Sequence, residues 1–170
     1  EGEICHLGPF AVSTGKHTAR AAADKFVVRE QTTEEHVWWG QYNRPFNPES
    51  FSGLHARLCG YLQGRDVFVQ DVWAGADPDH RLAVRVICQR AWHALFTRIM
   101  LAKNTTHDQA ANHVPDFTLI VAPGFKANPM ADGTRTETFI VLNYRQKIGI
   151  IGNSGYAGEI KKAVFTVLNY

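Results

Sequence analysis

The sequence predicts an α/β domain, a mixed β-sheet flanked by helices, and three observations carry that expectation. Strand-like and helix-like stretches alternate along the chain without strict order. Short apolar runs such as Phe26-Val27-Val28 have the length and composition of buried strands. The chain has 170 residues, 45% apolar and 20% charged, which suits one domain. A domain of that size buries roughly 70% of its unfolded surface.

Taken in order, residues 4–13 and 25–29 read as strand-like, with a loop over 14–24 that carries Gly15, Lys16 and Arg20. Asn47-Pro48-Glu49 is a helix start: an Asn cap, Pro at the first helical position, and an acid at the positive helix end. Phe51, Leu54, Leu58, Tyr61 and Leu62 follow at helical spacing, and Gly64 closes the segment. Residues 66–73 alternate in two-residue steps and form a strand, with Val67, Val69, Asp71 and Trp73 on one face. Gly75 to Asp79 turns the chain into a second strand, Leu82 to Ile87. Residues 90–101 read as a helix with Ala91, Ala94, Leu95, Ile99 and Met100 inward. Strands recur near 117–121, 138–143 and 147–151, and 157–169 is helical with Ile160, Val164, Val167 and Leu168 on one stripe.

Composition excludes several classes. Net charge is +2 with both signs interspersed, unlike the clustered basic face of a nucleic-acid binder. The four Trp and ten Phe fall at core-like periods and read as interior. Cys5, Cys59 and Cys88 are odd in number and far apart, so the sequence expects no disulfide framework and a reducing cytoplasm. Asn104-Thr105-Thr106 matches a glycosylation sequon by chance. No apolar run approaches membrane-spanning length. The chain opens at Glu1 without Met and stops at Tyr170 inside an apolar-periodic stretch, so both ends read as cut.

Ser13-Thr14-Gly15-Lys16-His17-Thr18 looks like the end of a phosphate-binding P-loop but fails the spacing. Gly8 precedes Gly15 by too many residues, and His17 takes the hydroxyl position. Arg20, in a loop between strands, can grip a carboxylate or phosphate with two parallel hydrogen bonds, pair with Asp24, or simply lie on the surface. The segment from Gly152 to Lys162 is a strand, a Gly-rich turn and a helix start, which exposes backbone N–H groups to an anion. Lys161 and Lys162 oppose the helix dipole there, which an adjacent anion would offset; Tyr156 adds a phenol donor. Solvated surface lysines beside a loop Tyr fit the same residues. The eight histidines form no metal motif and read as surface or hydrogen-bonded core residues. No G-x-S-x-G element supports a hydrolase.

Tyr156-Ala157-Gly158-Glu159-Ile160-Lys161-Lys162 is similar to the Y-[AG]-G-E-x-K-K signature of ATP-type phosphoenolpyruvate carboxykinases. Thr14 to Arg20 resembles the family's T-G-x-x-T-G-R, and Asp24 to Arg29 its D-K-[FY]-x-V-R. Trp38-Trp39, Gly75 to Pro78, Arg81 to Arg85 and Trp92 to Phe96 fall in family order as well.

The resemblance implies a three-layer αβα domain, residues 1–170, forming the N-terminal substrate-binding half of the enzyme without its C-terminal P-loop domain. The complete enzyme would convert oxaloacetate and ATP to phosphoenolpyruvate, CO₂ and ADP in gluconeogenesis, in the cytoplasm. Arg20 and Tyr156 would bind the substrate's carboxylate end or CO₂. Lys162 would bind substrate and serve as a neutral-amine ligand of Mn²⁺, and Lys161 would hold phosphoryl oxygens; both lysines would be catalytic. Mg²⁺ would accompany ATP, and no cofactor is expected to bind this chain tightly by itself. No nucleic acid or membrane partner is implied.

Ala19, Ala21, Ala22, Ala23 and Asn153 depart from the family's usual Gly, Ser-Pro, Lys and Gly. A Gly ahead of the substrate Arg would suit a left-handed backbone, so Ala19 is expected to strain the loop. Three readings therefore stand: half an enzyme that is inactive by itself, a stand-alone small-anion-binding module, or a structural domain.

Overall fold

A computed structural model describes residues 2–104 and 106–170. The sequon residue Thr105 lies outside the described residues. Eight strands form one mixed sheet in the order β4-β3-β9-β10-β8-β6-β5-β7. They are β3 (Lys25–Val28), β4 (Arg44–Phe46), β5 (Phe68–Ala74), β6 (Leu82–Cys88), β7 (Ala102–Lys103), β8 (Phe117–Ala122), β9 (Phe139–Asn143) and β10 (Ile148–Gly152). The β10–β8, β8–β6, β3–β9 and β3–β4 pairings are parallel; the rest of the sheet is antiparallel.

The central strands bury both faces, which is why they read as near-continuous apolar runs. Phe117, Leu119 and Val121 of β8 point to one side, with Ile140 and Leu142 of β9. Ile120 and Ala122 point to the other, with Phe139 and Val141. Helix α1 (Pro48–Leu62) covers this second face through Phe51, Leu54 and Leu58. Helices α2 (Ala91–Met100) and α5 (Gly158–Leu168) cover the first through Ala94, Ile160, Ala163 and Val164. The result is three layers, with a core on each side of the sheet. No helix among the described residues is long and apolar enough to cross a membrane.

The start of α1 is the one the sequence dictates. Asn47 Oδ1 accepts from the N–H groups of Glu49 and Ser50, and Pro48 opens the helix. Other elements differ from the sequence reading. Residues 4–13 are not one strand: Gly8, at φ 96°, turns the chain between β1 (Gly2–Ile4) and β2 (Phe10–Val12), which pair as a separate hairpin. Helix α2 is rotated from the expected phase. His93, Ala94 and Thr97 face inward, while Ala91, Leu95, Ile99 and Met100 are exposed. Thr97 turns inward without penalty because its hydroxyl donates to the His93 carbonyl. In α5, Leu168 is exposed and Ala163 takes a core position. Strands β4 and β7 and the short helices α3 (His107–Ala111) and α4 (Pro129–Asp132) were not anticipated; each has only two to five residues, too few to show a period.

Candidate functional site

At Gly152 the chain leaves β10 and turns through Asn153, Ser154 and Gly155 into α5. β8 and β6 run parallel in the same sheet, so the turn lies at the carboxyl ends of these strands, a usual place for a ligand in an α/β sheet. Strand β3 runs antiparallel to β10, which brings the loop before Lys25 to the same end. Loop and turn touch directly: a Cβ added to Gly155 would lie 2.8 Å from the Thr14 carbonyl oxygen. His17 Nε2 lies 2.9 Å from Thr138 Oγ1, which fixes the loop to the residue just before β9.

Asn153 adopts φ 55°. This left-handed position favours Gly and admits Asn, and its Nδ2 donates to Thr138 Oγ1 at 3.0 Å. The expected strain at Ala19 is absent: among the described non-glycine residues only Lys147 and Asn153 have positive φ. The loop bends at Gly15 instead, φ 72°.

The four residues singled out from sequence come together. Arg20, Tyr156, Lys161 and Lys162 line one cleft of ≈ 750 Å³, walled on its apolar side by Trp92, Phe96, Met100 and Phe165. Arg20 does not pair with Asp24. That carboxylate is buried and accepts from Arg135 (3.0 and 3.2 Å) and from Thr136 Oγ1 (3.1 Å). Arg20 and Lys161 are exposed, and neither forms an ion pair among the described residues. Lys162 Nζ lies 4.7 Å from the centre of the Phe165 ring. The helix start offers fewer free donors than expected, because Glu159 N and Ile160 N bond back to the carbonyls of Tyr156 and Ala157. Charge on the side chains, rather than the helix end, therefore dominates the cleft.

Two residues quoted within the sequence motifs but given no role there complete the site. Glu159 is 5% exposed, and its Oε1 accepts from Ala21 N at 2.5 Å. This clasp ties the backbone next to Arg20 to the first turn of α5. Burial raises the Glu159 pKa, against the Ala21 N–H, Arg20 and Lys25, which favour the charged form. Lys25, half-buried behind the same loop, has its pKa lowered to about 8, first by burial and then by Lys162 and Arg20. A signal for both existed in the sequence: an acid one residue into a helix, and a lysine opening a buried strand.

The expectation that core histidines are hydrogen-bonded fails. His93 and His113 are buried, and none of their ring nitrogens has a hydrogen-bond partner among the described residues. No disulfide joins Cys5, Cys59 or Cys88 among the described residues.

Residues 1–170 match the family model described as phosphoenolpyruvate carboxykinase. Relatives named phosphoenolpyruvate carboxykinase (ATP) include those of Geotalea uraniireducens (strain Rf4) and Geobacter sp. (strain M21), each 52% identical over 170 residues. That of Geobacter metallireducens is 50% identical over the same length. Each alignment covers 100% of this chain and 32% of the relative. The chain thus spans about a third of the length of the curated relatives it matches.

Proposed function

Since the chain belongs to the phosphoenolpyruvate carboxykinase family, we propose that residues 1–170 are the N-terminal, substrate-binding domain of an ATP-dependent member acting in the cytoplasm. The observation that carries the proposal is the cleft itself. Arg20, from the loop before β3, meets Tyr156, Lys161 and Lys162 from the turn and helix after β10.

The assembled enzyme decarboxylates oxaloacetate and transfers the γ-phosphoryl group of ATP to the enolate oxygen, giving phosphoenolpyruvate, CO₂ and ADP. Arg20 grips the retained carboxylate with two parallel hydrogen bonds, and the Tyr156 phenol donates at the end where CO₂ departs. Lys161 and Lys162 lie where negative charge builds on the enolate and on the transferring phosphoryl oxygens. Trp92, Phe96, Met100 and Phe165 restrict water on one side of the cleft.

Nucleotide binding belongs to a separate C-terminal domain. A divalent ion, Mn²⁺ at the active site and Mg²⁺ with ATP, would supply further charge stabilisation. Among the described residues, no group of three His, Cys, Asp or Glu side chains is placed to hold a metal. This chain offers the Lys162 amine alone, and the donor set is incomplete without other residues.

Calorimetric titration of the chain with oxalate and phosphoenolpyruvate tests the substrate half. Arg20→Ala is expected to weaken binding by about 1.5–3 kcal/mol, and Tyr156→Phe by about 1 kcal/mol. Unchanged affinity in both variants sinks the reading. Fusion to the remaining two-thirds of the Geotalea uraniireducens relative should restore phosphoenolpyruvate formation.

A further inference from the structure

The Arg20–Lys162 wall has two sides. Behind it lies a second cleft of ≈ 440 Å³, whose own lining includes Lys25, Trp38, Tyr42, Asn43 and Thr166. Tyr156, Lys161 and Trp92 take no part in it. Three cations face this space, Arg20, Lys25 and Lys162, against the single carboxylate of Glu159. That carboxylate is already engaged by the Ala21 N–H.

Lys25 is the informative member. Its Nζ donates to Asn43 Oδ1 at 2.9 Å and to Thr166 Oγ1 at 3.1 Å, both neutral acceptors. An ammonium has three donors, so one remains after these two. None of the three cations forms an ion pair among the described residues. A half-buried ammonium normally sits beside a carboxylate, because desolvation must be offset. Here Lys162 and Arg20, which disfavour its charged form, each outweigh Glu159, which favours it. Trp38 and Tyr42 rim the opening, 89% and 68% exposed. An excess of positive charge around a concave space is the complement of a small oxyanion.

We propose that this second cleft is an anion site, distinct from the Tyr156 cleft, that takes one phosphate or carboxylate group against Lys25. Arg20 and Lys162 are shared between the two sites. Occupancy of either therefore changes affinity at the other, reciprocally. The proposal does not need the substrate assignment of the first cleft: that reading stands on Tyr156, this one on Lys25.

The two clefts carry separate optical reporters, Trp38 in the second and Trp92 in the first. The chain is titrated with inorganic phosphate and, separately, with acetate, at ionic strength held constant with KCl. Fluorescence is followed in the parent chain and in the Trp38→Phe and Trp92→Phe variants. A saturable change that survives Trp92→Phe and is lost in Trp38→Phe is expected. Lys25→Met should weaken it about tenfold or more, and Lys25→Arg should restore most of it. Whichever of the two anions responds through Trp38 identifies the preferred group. A response carried by Trp92 alone, an equal response to chloride, or unchanged affinity in Lys25→Met overturns the proposal. Should Lys25→Met lose its circular-dichroism melt, Asn169→Asp at the exposed rim decides instead. Weakened phosphate binding supports the site, and unchanged binding overturns it.

Discussion

Burial on the inward face of α2 keeps the His93 imidazole neutral, its pKa lowered from 6.5 to about 4, by desolvation first and Arg90 second. The unfolded chain takes up this proton below about pH 6.5, and the folded chain only near pH 4. His93 therefore costs no stability above pH 6.5, and folding stability falls as pH drops through that window. The loss is on the order of 3 kcal/mol at its end. Urea midpoints of the chain should decline from pH 6.5 to pH 4, and His93→Leu should flatten that slope; an unchanged slope refutes the assignment. Nothing in the sequence marks this histidine, because an inward His and a surface His look alike at helical spacing. Arg20, Tyr156, Lys161 and Lys162 were singled out for a different reason: residue chemistry left surface roles open, and the resemblance to the carboxykinase motifs marked these four, which line one cleft. Asn153 was visible as a departure, but its left-handed φ of 55° was not.

The loop over 14–24 and the turn after β10 act as one unit, joined at two points. At the first, Gly155 lies against the Thr14 backbone, which cannot swing aside as a side chain could. Gly155→Ala should destabilise the chain by about 1–3 kcal/mol and loosen oxalate binding, measured by urea unfolding and calorimetry. At the second, Glu159→Ala leaves the buried Ala21 N–H without its acceptor and should cost about 1–3 kcal/mol. Glu159→Gln keeps an oxygen in place and should lose less; equal losses in the same unfolding assay would remove the clasp from the account. Elements with a long apolar period were read correctly, α1 and the central strands above all. The phase of α2 was not, because Leu95, Ile99 and Met100 supply a second apolar stripe that remains exposed. Periodicity gives the width of a stripe, and only the packed sheet chooses which stripe is covered.

At the scale of the whole chain, the prediction concerns nucleotide binding. The chain spans about a third of its relatives' length, and its only P-loop-like stretch fails the spacing. Mg-ATP should therefore bind this chain more weakly than a Kd of about 10 µM, or about −7 kcal/mol. Tighter binding in a calorimetric titration would require a nucleotide site built from other residues. The three-layer arrangement was legible as a class, whereas strand order was not, because it depends on pairings between segments far apart in sequence. That order has one more consequence, at the two rims of the sheet. The outermost strands are the three-residue β4, with Pro45 at its centre, and the two-residue β7. Polymerisation of β-structure proceeds by templated addition to an open margin, and a proline or a stub offers too few donors in register to recruit an incoming strand. Both growth fronts of this wide sheet are thus blunted from within the chain.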